Sequence, residues 1–165
     1  MSQSPFDRSL EVLAATPAVL QSVVDNLPPS ADRPSAEAWS PAEVLAHLLY
    51  SETKVMAPRI KRAVAESGVR YEAVQASPPE PGEPGAMFAA WSEARAQNLE
   101  WLARVTPDER THVVHHPRFG EISVDTYVAE WAYHDLDHLR QILSSVSVEL
   151  YPHIGTFQEL YTPPT

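Results

Sequence analysis

Apolar residues recur every three or four positions in four stretches of this chain, and strict alternation is almost absent. The first stretch, residues 5–27, carries Phe6, Leu10, Leu13, Leu20, Val24 and Leu27. That is the period of an amphipathic helix. Ser4 and Pro5 supply an N-cap and a first helical residue. Pro17 falls inside the pattern and predicts a kink, or a split at Thr16 that recaps the second half. A connector of Pro, Ser and Ala follows over residues 28–40, and then the plainest helix start in the chain. Ser40-Pro41-Ala42-Glu43 places Ser at the N-cap, Pro at the first position and Glu at the third, a capping box. Trp39 is expected to staple onto this helix near Leu45. The apolar row continues through Val44, Leu45, Leu48 and Val55, with a break or kink expected before Pro58. A second portion, Arg59 to Glu66, ends at Gly68.

Residues 69–86, rich in proline and glycine, read as a loop. A third helix is expected over roughly residues 86–104, burying Phe88, Trp91, Leu99 and Leu102. Thr106-Pro107-Asp108-Glu109 repeats the capping pattern for a short turn. The sequence HVVHHPRFGEIS, with β-branched residues either side of Pro117-Arg118-Phe119-Gly120, predicts a small hairpin or extended excursion. Residues 123–146 form the last and widest stripe: Val124, Tyr127, Val128, Trp131, Leu139, Ile142 and Val146. Four amphipathic helices with little strand signal make an all-α four-helix bundle. The expected division is a bundle domain over residues 1–146 and a non-helical tail over 147–165.

Composition narrows the chemistry. The chain has 165 residues, 44% hydrophobic and 21% charged, as expected of one globular domain. Twelve basic against twenty-two acidic residues leave a net charge of −10, which disfavours nucleic acid and anionic membrane surfaces as partners. No apolar run approaches the ~20 residues that span a bilayer. The first residues lack a basic segment followed by an apolar one, so a cytoplasmic location is expected. There is no cysteine, so any metal must be held by His, Asp or Glu, and any thiol must come from a cosubstrate.

Of seven histidines, His134 and His138 sit four apart on the last helix, stacked on one face beside Trp131 and Ile142. Alone, the pair fits two satisfied core histidines as well as it fits half a metal site. His47, on the margin of the second helix's buried face, can stand opposite them in a bundle. Three neutral imidazoles from two helices would leave coordination positions open, the pattern of a catalytic divalent site, and suit zinc or nickel. Candidate neighbours are Glu52, five after His47; Asp135 and Asp137, flanking the pair; Gln141, on the pair's face; Trp131 and Tyr50 as pocket walls; and Arg95, midway along the third helix. Each has an ordinary reading too: solvated carboxylate, core aromatic, or surface arginine. His112, His115 and His116 in the excursion are the rival ligands if the turn folds over the open end of the bundle.

Taken together, the Trp39-Ser40-Pro41 start followed by VLAHLLYSE, the HPRFG turn and WAYHDLDHLRQI resemble the DinB/YfiT superfamily, in order from about Leu10 to Val146. The resemblance implies an up-down-down-up four-helix bundle with one long crossover, often a homodimer. It implies that the three metal-ligating histidines fall on His47, His134 and His138. It further implies a metal-dependent enzyme acting on a small-molecule substrate. That enzyme would be an S-transferase using a low-molecular-weight thiol such as bacillithiol, a mycothiol-dependent isomerase, or a hydrolase. The same fold also accommodates a non-catalytic metal- or ligand-sensing protein.

Overall fold

The computed structural model describes residues 4–26, 33, 38–72 and 80–164. Its helices are α1 (Pro5–Val24), α2 (Pro41–Tyr50), α3 (Ala57–Ala65), α4 (Pro84–Leu102) and α5 (Val124–Leu150). Strands β1 (Val69–Arg70), β2 (Val113–His116) and β3 (Gly120–Ser123) form one small sheet. A π-helical segment, Ser51–Met56, joins α2 to α3 without a break, so the pair acts as a single rod. Four rods therefore make the bundle, as the apolar periodicity predicts.

Helix directions follow from which end of the core each terminus enters. One apolar cluster contains Phe6, Ile60, Leu102 and Val124. The other contains Leu20, Val44, Phe88 and Ile142. α1 and α5 thus run from the first cluster to the second, and α2–α3 and α4 run back. The order is up, down, down, up. Between α3 and α4 the chain must travel the length of the bundle, and β1 lies on that crossover. β1 pairs in parallel with β2 (Val69 with Val114), while β2 and β3 form the antiparallel hairpin (Val114 with Ile122). The hairpin was legible in the sequence; β1 was not, because two residues carry no period.

Local capping sets the helix starts. Ser40 Oγ accepts from the Glu43 N–H, and Glu43 Oε2 accepts from the Ser40 N–H at 2.8 Å, the reciprocal box. Ser4 and Ser123 cap α1 and α5 by accepting from the N–H groups of Asp7 and Thr126, without the reciprocal bond. Thr106 and Glu109 close the short 3₁₀ turn Glu109–Thr111.

Three expectations are corrected. Pro17 neither splits nor ends α1, which runs unbroken to Val24. No break precedes Pro58, which lies in the first turn of α3 immediately after the π segment. Leu48, Glu52, Met56 and Ile60 are all buried at steps of four residues. An α-helix drifts about 40° per such step, and the wider π turn takes up that drift. Last, the segment after Ser147 is not the non-helical tail expected over 147–165. α5 continues to Leu150, and Tyr151–Leu160 forms 3₁₀ turns interrupted at Gly155, whose φ is +58°. Prolines and scattered aromatics hide the α-period there but do not forbid a tighter helix. The connector over 28–40 and the loop over 69–86 lie partly outside the described residues.

The two apolar clusters are separated by a layer of buried polar side chains at mid-height. Arg95 is its hub. Its guanidinium donates to Glu52 through Nε (3.1 Å) and Nη2 (2.8 Å), and through Nη1 to Asp135 Oδ2 at 2.6 Å. Asn98 Nδ2 and Trp131 Nε1 also donate to Glu52, at 2.8 and 3.1 Å. The remaining bond of Nη1 goes to the Leu13 carbonyl, 3.1 Å away. That carbonyl lies four residues before Pro17, which has no N–H to give it. The proline costs α1 one internal bond, and α4 replaces it. Trp91 and Trp131 flank the guanidinium, with Cζ 4.7 and 5.3 Å from their ring centroids. Burial opposes Arg95's charge, but Asp135 and Glu52 outweigh it and its pKa rises, so it stays cationic.

Two stability changes are expected. Ser40→Ala removes one half of the capping box and should cost about 1 kcal/mol, read as a lowered urea midpoint. Arg95→Met strands two buried carboxylates and the Leu13 carbonyl, so it should cost roughly 3–5 kcal/mol. An Arg95→Met protein with an unchanged midpoint would show that the network contributes nothing to stability.

Candidate metal centre

Asp135 faces the bundle interior, and this fixes the rotation of α5. On a helix, His134 and His138 then fall on the same flank of Asp135, toward α2. On α2, Leu48 packs in the core. His47, one position earlier, turns toward the same seam. All three imidazoles meet there. The Nε2 atoms of His47 and His134 are 3.1 Å apart, as are those of His138 and His134. Their ligand atoms all lie within 4.8 Å of one another. His47 and His138 are buried, and His134 is half-buried.

Each ring nitrogen offers one proton or one lone pair. His134 Nε2 can therefore make a full hydrogen bond to only one of its two neighbours. A single ion bound by three lone pairs resolves this conflict. A tetrahedral ion with metal–nitrogen bonds of about 2.0–2.1 Å separates its ligand nitrogens by about 3.3 Å. The donor set fits a borderline divalent cation.

Electrostatics keep the lone pairs free. Desolvation, then the neighbouring His138, holds His47 down at about 4. Desolvation, followed by His138, His47 and Arg95, holds His134 at about 3. His138 is lowered by burial as well, with Gln141 and Asp137 opposing. All three are neutral at physiological pH, the protonation state that metal ligation requires.

The surroundings sort the other sequence candidates. Gln141 Oε1 accepts from His138 Nδ1 at 3.0 Å, so it orients that ring with Nε2 toward its partners. Asp135 holds Arg95, not a histidine, and among the described residues neither His134 Nδ1 nor His47 Nδ1 has a hydrogen-bond partner. Asp137 pairs with Arg140. Glu52 is not a solvated carboxylate: it is 1% exposed and committed to Arg95, Asn98 and Trp131. Arg95 faces inward, but it is 1% exposed and four of its five N–H groups are used within the protein, so it is not free to recognise an anionic substrate. Trp131 is a core residue whose indole N–H serves Glu52. Tyr50 is exposed.

The rival histidines lie elsewhere. His112 Nδ1 sits against the Ala63 and Val64 carbonyls, His115 beside Glu121, and His116 Nδ1 accepts from the Arg118 and Phe119 N–H groups. Their contacts close the hairpin and tie it to the end of α3.

Two residues at the centre escaped sequence reasoning. Trp39, expected only as a staple, lays its ring 4.9 Å from that of His47 and parallel to that of His138, 6.0 Å away. Ser51 Oγ lies 3.2 Å from His47 Nε2. Its signal was available, since Ser51 is four residues after His47 and so shares its helical face.

Comparison with known proteins agrees with this architecture. YfiT from Bacillus subtilis, described as a probable metal-dependent hydrolase with an unusual four-helix bundle topology, superposes with a TM-score of 0.78. The two chains are 20% identical, over 94% of this chain and 90% of that one. TT2238, a four-helix bundle protein, superposes with a TM-score of 0.63 at 23% identity, over 84% of this chain and 98% of its own. At these identities the likeness concerns the fold. No curated protein sequence matches. The model of the DinB superfamily matches residues 13–142, most of the chain and all three clustered histidines, and the protein belongs to that superfamily.

Proposed function

We propose that the protein is a metal-dependent enzyme in which His47, His134 and His138 hold one divalent ion, zinc or nickel by ligand chemistry. The observation that carries this reading is the convergence of three neutral Nε2 atoms at 3.1 Å contacts that hydrogen bonding alone cannot satisfy. The description of YfiT as a probable metal-dependent hydrolase supports it. Bound there, the ion would supply Lewis-acid chemistry, lowering the pKa of water or of a low-molecular-weight thiol and polarising a substrate.

The chain's own residues prepare the site. Gln141 fixes the tautomer of His138. Trp39 walls the site with an aromatic face against two ligand rings, which excludes bulk water on that side. Glu52 and Asp135 are occupied by Arg95 and do not move protons at the site. With no cysteine in the chain, a thiol nucleophile must arrive as a cosubstrate, which gives an S-transferase; water gives a hydrolase.

A homodimer is part of the proposal. Tyr133, Leu136, Leu143 and Leu150 form an exposed stripe along α5, with the three leucines spaced by seven. Such a row suits a second helix. No helix among the described residues is long and apolar enough to cross a membrane, so the stripe is not part of a membrane-spanning helix.

Metal analysis of the purified protein should find one ion per chain, and His138→Ala should reduce it to trace while keeping the helical circular dichroism. Stoichiometric metal in that variant would refute the ligand set. The metal-loaded protein should turn over a member of a panel of activated esters or thiol-plus-electrophile pairs, with a loss of at least ~100-fold on chelation. Metal bound without any turnover would favour the sensing role. Leu143→Glu should convert a dimer to a monomer in light scattering; a wild-type monomer would exclude the dimer.

A further inference from the structure

Ser51 begins the π segment and is 4% exposed. Its backbone N–H is committed to the His47 and Leu48 carbonyls. Its hydroxyl points at the histidine cluster, and the partner it has there is His47 Nε2, at 3.2 Å. That nitrogen is also the one which the proposed ion would claim. Once the lone pair is used for coordination, the hydroxyl loses its acceptor. A buried hydroxyl without a partner is costly, so it must turn to another. Ser51 Oγ stands about as far from His47 Nε2 as the ligand nitrogens stand from one another, so the hydroxyl borders the cluster on its His47 side.

Resting on the metal reading above, the geometry points to Ser51 as the residue that selects what fills the open coordination position: its O–H donates to a bound ligand carrying a hydrogen-bond-accepting, anionic atom next to the ion. In the metal-free protein the same hydroxyl is paired with His47 Nε2; loading the ion exchanges that partner for the bound ligand. A thiolate, hydroxide or carboxylate satisfies the hydroxyl. A neutral nitrogen ligand, whose lone pair is consumed by coordination, does not.

The π segment gives the reason that this hydroxyl is available. It keeps both Ser51 and Glu52 buried on consecutive positions, the first directed to the histidines and the second to Arg95. A regular α-helix rotates consecutive side chains by about 100°, and the wider π turn reduces that angle.

The test uses Co²⁺-loaded full-length protein, read by visible absorption, with azide as the anionic acceptor probe and imidazole as the neutral one. Ser51→Ala should keep one Co²⁺ per chain and weaken azide by about three- to tenfold, the effect of one hydrogen bond, while imidazole affinity is unchanged. Ser51→Thr should restore azide binding. Equal weakening of both probes, or of neither, would overturn the assignment, as would loss of Co²⁺ from Ser51→Ala. Wild-type protein that takes up no Co²⁺, Zn²⁺ or Ni²⁺ would instead overturn the metal reading itself, and this inference with it.

Discussion

The buried guanidinium of Arg95 constrains everything else. A charge removed from water must be matched group by group, and here the matching groups come from every rod of the bundle: Glu52 from the π segment, Asp135 from α5, and the Leu13 carbonyl from α1. Arg95 itself sits on α4. Shifting any rod by one helical turn, about 5.4 Å, would leave a charged or polar group unpaired in an apolar interior. Apolar packing on either side tolerates small slips, because Leu and Val side chains have no directional requirement. The polar layer does not. It sets the heights and rotations of the helices, and the apolar clusters above and below supply the burial.

The histidine cluster inherits its geometry from that layer. Asp135 is held by Arg95, so its neighbours His134 and His138 are aimed at the seam with α2. Glu52 is held by the same arginine, so Ser51 and His47 face the seam from the other side. The candidate site and the structural network are therefore one construction with two faces. The carboxylates serve the structure, and the imidazoles remain free for ligation. This division explains why, among the described residues, no carboxylate joins the histidines although three lie close in sequence.

Pro17 illustrates how a local liability becomes a tertiary contact. A proline in a helix interior removes one donor and frees the carbonyl four residues earlier. Exposed, that carbonyl would bind water and the helix would bend toward solvent. Buried at Leu13, it accepts from Arg95 instead, and α1 stays continuous.

The periodicity of apolar residues was enough to place four helices, and Ser40–Glu43 was enough to start α2 at the correct residue, because capping and burial are local or nearly local properties. Resemblance placed His47, His134 and His138 on one site, and their spacing put the latter two on one face. What the sequence left open was direction at close quarters. Glu52, Asp135 and Arg95 each had a plausible solvated reading, since a charged side chain is normally exposed unless a partner waits for it. Those partners come from helices 40 or more positions apart in the chain, and no local pattern records them. The π turn and the position of Trp39 over two histidine rings were hidden for the same reason, and the strand β1 because its two residues carry no period. The sequence determined which segments are helical and which residue types can bind a metal; only packing decided which charges cancel inside and which nitrogens are left to meet, because buried polar groups are satisfied across the fold, not along the chain.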